Sequence, residues 1–191
     1  PLQLTLEQAD YVAQVILVAE PLGFRANGLD VSIDPGALPQ VQGGGLLERA
    51  DLLLLRMIAD SWPERPIYIS RTAGSYGQQL GLAEHLVSQG LARKLVLTPD
   101  TASADMIMVQ GSGWFDVARS MALWDGFAGP EAIIRNGDWI DRPSLNSAYA
   151  YVFAGYELSE VLRFRGDSAA AAAVRGRVRE MARGARMRGS F

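Results

Sequence analysis

Cysteine is absent from the 191 residues of this chain, and histidine occurs once, as His85. The lack of thiols excludes disulfides, thiolate-bound metals and cysteine nucleophiles, and it is neutral about the cellular compartment. Only an oxygen-rich calcium or magnesium site would remain, and neither Asp100/Asp105 nor Asp138/Asp141 follows an EF-hand pattern. We therefore expect neither a functional metal nor a cofactor.

Long apolar runs are also missing. The longest, Leu52–Leu55, lies among Arg49, Asp51, Arg56 and Asp60, whereas a bilayer span needs about 20 apolar residues. Hydrophobic residues make up 49% and charged residues 20% of the chain, which is typical of a folded domain. The length predicts one domain with a proper core, or a domain with a helical appendage.

The chain begins at Pro1, and no basic and apolar export signal follows. Proline directly after a cleavage site is unusual for signal removal. We therefore expect that further sequence precedes this residue in the full protein.

Charge is distributed unevenly along the chain. Eight arginines lie between Arg163 and Arg188, with only Asp167 and Glu180 as acidic residues, which gives this end a charge of +6. The net charge is −3, so residues 1–162 carry −9. A basic end on an acidic body favours contact with an anionic surface, although a solvated arginine-rich helix face would give the same pattern.

Four of these arginines are the candidate contacts for a partner protein or for anionic lipid head groups: Arg175, Arg179, Arg183 and Arg186. Nucleic acid is not an expected partner. Only Phe164 and Phe191 lie in the basic stretch as aromatics on which bases could stack.

Periodicity and turn residues predict an α/β protein. Helices are expected at about Thr5–Val12, at 46–62, which Pro63 ends, and at 80–89, which Gly90 closes. One small mixed sheet is expected to contain strands near 14–20, 24–33 (around the hairpin signal Asn27-Gly28), 66–71 and 92–97. The succession of strand, helix and strand over 66–97 predicts a βαβ unit, that is, a parallel strand pair with a right-handed crossover.

After Pro99 the pattern becomes helical, at about 114–125, 144–165 and 167–187. The last two helices meet at Gly166-Asp167, a C-cap followed by an N-cap, and their pattern of large residues, turn and alanines resembles a single tetratricopeptide-type unit. We expect an α/β domain over residues 1–110 and a helical region over 111–191 packed on it. A single helix pair cannot bury its own face, so it must pack on the α/β part or on a partner.

One loop is a candidate anion or ligand site. Gly74, Ser75 and Gly77 lie between an expected strand and an expected helix, and Arg71 precedes them at the strand's end. Backbone amides at such a position can hold a phosphate. The spacing fits neither the dinucleotide nor the P-loop fingerprint, and glycines that only turn the chain are the alternative.

No catalytic constellation is apparent. His85 is expected in mid-helix, and no Gly-x-Ser-x-Gly elbow is present. Glu157 and Glu160 share a helix face without an identifiable cleft. The tryptophans could line a sugar site, but core packing is the expected role: Trp62, Trp114, Trp124 and Trp139. We therefore expect no enzymatic activity.

The segment Trp62–Ser70, followed by Leu80–Leu82 and Gly90–Val96, resembles a known family. It is similar to the soluble C-terminal tail of bacterial multi-pass membrane proteins related to protein O-mannosyltransferases, the C-type glycosyltransferase-like proteins. The resemblance covers about residues 46–97. It implies a location outside the cytoplasm, on the periplasmic side of a membrane, whereas the family's glycosyl-transfer chemistry is expected in the membrane-embedded half.

Two functions follow from the residues and the resemblance. The first is a non-catalytic extrinsic, peripheral domain or subunit that docks on and stabilises a membrane protein complex, with an energy-converting or photosynthetic complex as one candidate. The alternative is an accessory domain of a membrane glycosyltransferase that recognises an acceptor or a sugar. Surplus apolar helix surface favours the first.

Overall fold

The computed structural model describes residues 15–110, 112–136 and 144–187. Within them the strands are β1 (Val15–Val18), β2 (Leu22–Ala26), β3 (Leu29–Ile33), β4 (Gln40–Val41), β5 (Gly44–Glu48), β6 (Tyr68–Ser70), β7 (Leu86–Gln89), β8 (Ala92–Leu95), β9 (Met106–Val109) and β10 (Gly113–Asp116). The α-helices are α1 (Arg49–Ser61), α2 (Tyr76–Gln79), α3 (Val117–Gly126), α4 (Gly129–Asn136), α5 (Leu145–Arg165) and α6 (Ser168–Gly184). The helix expected at Thr5–Val12 lies outside the described residues, as do Asp138, Asp141 and Trp139.

The fold class is confirmed: the chain combines helices and strands and has a C-terminal helical region. The expected hairpin is β2–β3, which turns at Asn27 and Gly28 with φ of 45° and 88°. These left-handed conformations suit asparagine and glycine and match the twist of the flanking strands. The hairpin forms a two-stranded sheet of its own, and β1-β5-β4 form another, so the expected single sheet is wrong.

The third sheet has the strand order β6-β8-β7-β10-β9. It is mixed, as expected, because β10 pairs parallel with β7 and antiparallel with β9. Strands β6 and β8 are neighbours, but the N–H of Arg71 donates to the carbonyl of Leu91 and that of Leu95 to Ile67. The residue numbers rise on one strand as they fall on the other. The pair is antiparallel, and the parallel pair of the expected βαβ unit is wrong.

The prediction of a helix at 80–89 is also wrong. A 3₁₀ turn at Ala83–His85 leads into β7, whose Leu86, Val87 and Ser88 are all buried. A run covered on both sides is a central strand, whereas a helix of this length would leave one side exposed. Gly90, with φ of 57°, makes the turn into β8 and does not cap a helix.

The long helix α1 begins three residues later than expected. Leu46 and Leu47 belong to β5, where Leu47 pairs with Ile16 and is fully buried. The helix starts after Glu48, whose N–H donates to Asp51 Oδ2 at 2.7 Å in a capping box. The helix ends before Pro63, as expected.

The chain divides into two compact units. Among the described residues the first comprises 15–69, 73–86 and 94–99, and the second comprises 70–72, 87–93, 100–110, 112–136 and 144–187. Each unit has its own core. The largest fully buried side chains of the first are Leu29, Ile33, Leu47, Leu80, Leu82 and Leu95, and those of the second are Phe115, Leu162, Met181, Val87, Val117 and Val152. The domain boundary expected near residue 110 stays a prediction.

No helix within the described ranges is long and apolar enough to cross a bilayer.

Candidate binding groove on the C-terminal helix pair

The helix pair α5–α6 is built by its turn and by its buried sides. Gly166 takes the left-handed conformation (φ 89°) that ends α5, and Asp167 Oδ1 accepts the N–H of Ala170 at 3.2 Å to start α6. The antiparallel pair expected here is therefore present. Its core consists of Val152, Leu158, Val161 and Leu162 from α5 and Val174, Val178 and Met181 from α6.

A groove of about 510 Å³ runs along the solvent side of this pair. It is lined by Tyr156, Ser159, Glu160 and Arg163 from α5 and by Ser168, Ala171, Ala172, Arg175 and Arg179 from α6. Both sets recur at spacings of three and four residues, so each set lies on one stripe of its helix. Three cations and one carboxylate therefore line a concavity together with the small side chains of Ser159, Ser168, Ala171 and Ala172.

Arg175 is held in place inside the groove. Its guanidinium lies 4.3 Å from the ring centroid of Tyr156, pairs with Glu160 Oε1, and approaches Ser159 Oγ at 3.4 Å. A cation over an aromatic ring and beside a carboxylate is attracted by both. The side chain is only 26% exposed, so its guanidinium is presented in a fixed position.

Glu160 links two arginines. Its other carboxylate oxygen is 2.5 Å from Arg163 Nη2. The hydrogen bond from Arg163, followed by that from Arg175, holds the pKa of Glu160 below its ordinary value although burial acts in the opposite sense. This carboxylate is therefore ionised at neutral pH. The lining residues of the groove still carry a surplus of positive charge, because three arginines face one glutamate.

Exposed aromatic residues continue the α5 stripe beyond the groove. Tyr149 and Phe153 stack with their ring centroids 6.2 Å apart, and Phe153 is 56% exposed. They precede Tyr156 and Glu160 at helical spacing, so they lie on the same side of α5. Phe164 is also largely exposed. This face of the second unit is thus both aromatic and basic.

Two of the four arginines expected as partner contacts, Arg175 and Arg179, line the groove. Arg183 is exposed and donates from Nε to the carbonyl of Arg179 at 3.4 Å. Arg186 is exposed and lies beyond α6 in a left-handed conformation, with φ of 53°. The structure thus brings only half of the predicted cluster to one site.

Two further arginines of the basic stretch make contacts within the second unit. Arg177 donates at 3.2 Å to the carbonyls of Trp124 and Phe127 at the end of α3, and Arg165 pairs with Asp105 at 2.7 Å. The +6 charge of this end is therefore not all available to a partner.

Arg71, the first residue of the expected anion loop, belongs to the second unit. Its guanidinium forms an ion pair with Glu157 and donates from Nη1 to the carbonyl of Gly90 at 3.3 Å. Burial, followed by the charge of Arg93, lowers the pKa of Arg71 to about 10. Its charge is thus already matched by a carboxylate.

The rest of that loop lies in the first unit. Gly74 turns the chain with φ of 60°, and Ser75 Oγ is 3.5 Å from Gln79 Nε2. Gly77 is buried in the four-residue helix α2, where a Cβ would come within 2.6 Å of Leu86 Cδ1. The turn therefore accounts for the glycine at position 74, and the close packing accounts for the glycine at position 77, without any ligand. A role of Arg71, Gly74, Ser75 and Gly77 in binding a ligand stays a prediction.

The groove residues that the sequence did not single out as binding residues are Tyr156, Ser159, Arg163, Ser168, Ala171 and Ala172, and Glu160 was considered only as a possible catalytic carboxylate. A helical-wheel projection of residues 149–163 would have found the stripe of Tyr149, Phe153, Tyr156 and Glu160, but not which stripe of α6 faces it.

His85 lies at the end of a 3₁₀ turn, and not in mid-helix as expected. Its Nδ1 is 2.8 Å from the carbonyl oxygen of Leu97, a structural contact. Across the described ranges no three histidine, cysteine, aspartate or glutamate side chains form a group that could hold a metal ion.

No protein-family model, curated protein or solved structure matches this chain. What the groove binds is therefore inferred from its own residues.

Proposed function

We propose that this chain is a non-catalytic docking domain: an extrinsic domain or subunit that binds a membrane protein assembly from the periplasmic side. The observation that carries the proposal is the coincidence, on one face of α5–α6, of the open groove and the exposed stacked pair Tyr149–Phe153.

Residue types support this reading. Protein interfaces are enriched in tyrosine, phenylalanine and arginine, and their energetic hot spots are mostly tryptophan, tyrosine and arginine. The face combines Tyr149, Phe153 and Tyr156 with Arg163 and Arg175. Burial of these exposed rings against a partner would lower the free energy of the complex. A docking role accounts for both the rings and the charges.

The membrane and periplasmic parts of the proposal rest on the family resemblance of residues 46–97. In the alternative, the same face belongs to an acceptor- or sugar-recognition domain of a glycosyltransferase. Tyr156 is the aromatic side chain of the groove, but Arg175 covers one face of its ring at 4.3 Å. A sugar could stack there only after Arg175 moved, so docking is the better-supported function.

The proposal is tested by isolating native membranes and washing them with increasing salt. We expect the chain to remain with a membrane protein complex at low salt and to be released at high salt, because salt screens arginine contacts. Recovery as a lone soluble protein at low salt would contradict the proposal. Detection only as the tail of a much longer polypeptide would favour the glycosyltransferase alternative.

A pair of matched variants locates the contact. Phe153→Ser should weaken retention on the membranes because it removes an exposed ring from the docking face. Leu53→Ser is the control, since Leu53 on α1 is also an apolar side chain of similar exposure, 52% against 56%. Equal retention of both variants would place the contact elsewhere on the molecule.

A further inference from the structure

The shape of the α5–α6 groove specifies what can enter it. Its α6 wall runs from Ser168 to Arg179, a length of about 16 Å at 1.5 Å rise per residue. Ser159, Ser168, Ala171 and Ala172 have small side chains, so another backbone can approach the pair closely. This length corresponds to about three turns of helix, and two antiparallel helices offer a third helix a groove in which to pack.

The charged residues of the groove indicate that its occupant is negatively charged. Arg163, Arg175 and Arg179 line the groove and Glu160 is the single carboxylate among the lining residues. Arg175 is fixed by Tyr156 and Glu160, whereas Arg163 is 72% exposed and can turn toward an incoming group. An arginine that is already ordered loses little conformational entropy when it binds a second carboxylate.

The neighbouring aromatic pair specifies an amphipathic occupant. Phe153 and Tyr149 lie one and two turns before Tyr156, respectively, on the same stripe of α5. A helix in the groove can therefore bury apolar residues against the rings and place acidic residues against the arginines. A flat bilayer surface is less suitable, because Arg175 lies inside the concavity with most of its side chain covered.

We propose that this groove binds an acidic amphipathic helix of the partner protein. The inference rests on the proposed docking function and adds the chemistry of the segment that is recognised. The partner helix carries aspartate or glutamate at a spacing of three or four residues, opposite Arg163, Arg175 and Arg179, and apolar residues opposite Tyr149 and Phe153.

The first test fills the groove. Ala172 lines it, whereas Ala173, the next residue on α6, is also exposed and does not. The probe is a helix-stapled synthetic peptide of about three turns with glutamates at i, i+4 and i+7 and leucines beside them. We expect Ala172→Trp to weaken its binding at least about tenfold and Ala173→Trp to leave it within about twofold. Equal binding to the two variants, or no binding to the wild type, would overturn the proposal.

The second test reverses a charge. Arg179→Glu should weaken binding of the glutamate peptide at least about tenfold, because attraction is replaced by repulsion. Arg119→Glu is the control, since Arg119 is exposed on α3 and does not line the groove. A peptide with lysine in place of glutamate should bind neither wild type nor control. Tight binding of the lysine peptide would contradict the assigned charge.

The third test identifies the natural occupant. The replacements Ala172→p-benzoylphenylalanine and Ala173→p-benzoylphenylalanine place a photo-crosslinker inside and outside the groove in native membranes. We expect only position 172 to cross-link to an acidic helical segment of a protein. Cross-linking to lipid, or binding of wild type to vesicles of anionic phospholipid that Arg179→Glu abolishes, would overturn the proposal in favour of a lipid head group.

These outcomes separate the two proposals. If the wild-type chain stays on the membranes and its groove variants stay equally well, the groove inference fails and docking stands. If the wild-type chain does not associate with membranes, the proposed function fails, and the peptide measurements on the purified protein still decide the ligand class of the groove.

Discussion

Gly155 on α5 lies directly against the indole ring of Trp124 on α3. A Cβ at this position would overlap the ring atoms Cη2 and Cζ3 and come within 2.6 Å of Val178 Cγ2. The glycine thus brings α5 next to a buried tryptophan that is 3% exposed. Because interiors are densely packed, displacing the Trp124 ring would disturb the side chains around it.

We predict that Gly155→Ala destabilises the protein by about 1–3 kcal/mol. The better helix propensity of alanine, about 1 kcal/mol, offsets only part of the clash. Gly176→Ala on α6 is the control: nothing lies within 4 Å of its added methyl group, so this variant should be slightly more stable than wild type. Urea unfolding midpoints of both variants decide the question, and a stabilised Gly155→Ala would contradict the packing described.

The second prediction concerns the ion pair between Arg71 and Glu157, whose side chains are 12% and 18% exposed. Arg71→Met should cost about 3 kcal/mol, because a largely buried carboxylate loses its partner. The double variant Arg71→Met/Glu157→Leu should cost less than Arg71→Met alone, since no charge is then left unmatched.

The control for this ion pair is Arg25→Ala. Arg25 pairs with Asp30 at 2.9 Å in the first unit, where both side chains are exposed to solvent. An exposed pair contributes about 0–1 kcal/mol. Equal losses from Arg71→Met and Arg25→Ala in denaturant unfolding would show that burial does not strengthen the Arg71 contact.

The third prediction concerns alkaline pH. The Tyr76 hydroxyl donates to Asp51 Oδ1, and burial together with this hydrogen bond to a carboxylate raises the pKa of Tyr76 well above its ordinary value. The folded state therefore retains a proton that the unfolded chain loses at about pH 10. The stabilisation is complete below that pH and declines as the pH rises further.

Tyr76→Phe should cost about 1 kcal/mol at neutral pH and should weaken the loss of stability above about pH 10. Ultraviolet absorbance of tyrosinate measures the titration directly, and chemical unfolding at several pH values measures its effect. If the variant and the wild type lose stability equally in alkali, Tyr76 is not the group responsible.

The fourth prediction concerns acid. Arg163 and Arg175 lower the pKa of Glu160, so the folded state holds this proton less tightly than the unfolded chain does. The resulting stabilisation is present above the ordinary glutamate pKa of about 4.3 and is lost as the pH falls through the lowered value. Glu160→Gln should remove this part of the acid sensitivity, whereas Glu180→Gln, on the same helix pair, should retain it.

Local turn chemistry could be predicted from the sequence, whereas pairing between distant segments could not. Asn27-Gly28 and Gly166-Asp167 each require a left-handed residue at a fixed place, so both turns were predicted correctly. Gly90 also takes a left-handed conformation, but this is compatible with a helix end and with a hairpin. Burial of Leu86, Val87 and Ser88 on both sides decides in favour of a strand and a hairpin turn. A single sequence does not show which segments cover these residues.

The groove was only half predictable for the same reason. The arginines of α6 could be identified as candidate contacts from their charge alone. That Arg175 and Arg179 face Tyr156 and Glu160, whereas Arg177 turns toward Trp124, depends on which side of α6 packs against α5 and α3. Helix packing of this kind depends on the shapes of both surfaces, and periodicity reports only one surface at a time.

The order in which the chain contributes residues to its two units limits how early each unit can fold during synthesis on the ribosome. Residues 70–72 and 87–93 belong to the second unit, although the first unit is completed only by residues 94–99. Leu95, a fully buried member of the first core, leaves the ribosome after these second-unit segments. Neither core can therefore be completed by a nascent chain that stops at residue 93, and a deletion series measured by protease resistance should show no protected N-terminal fragment before residues 94–99 have emerged.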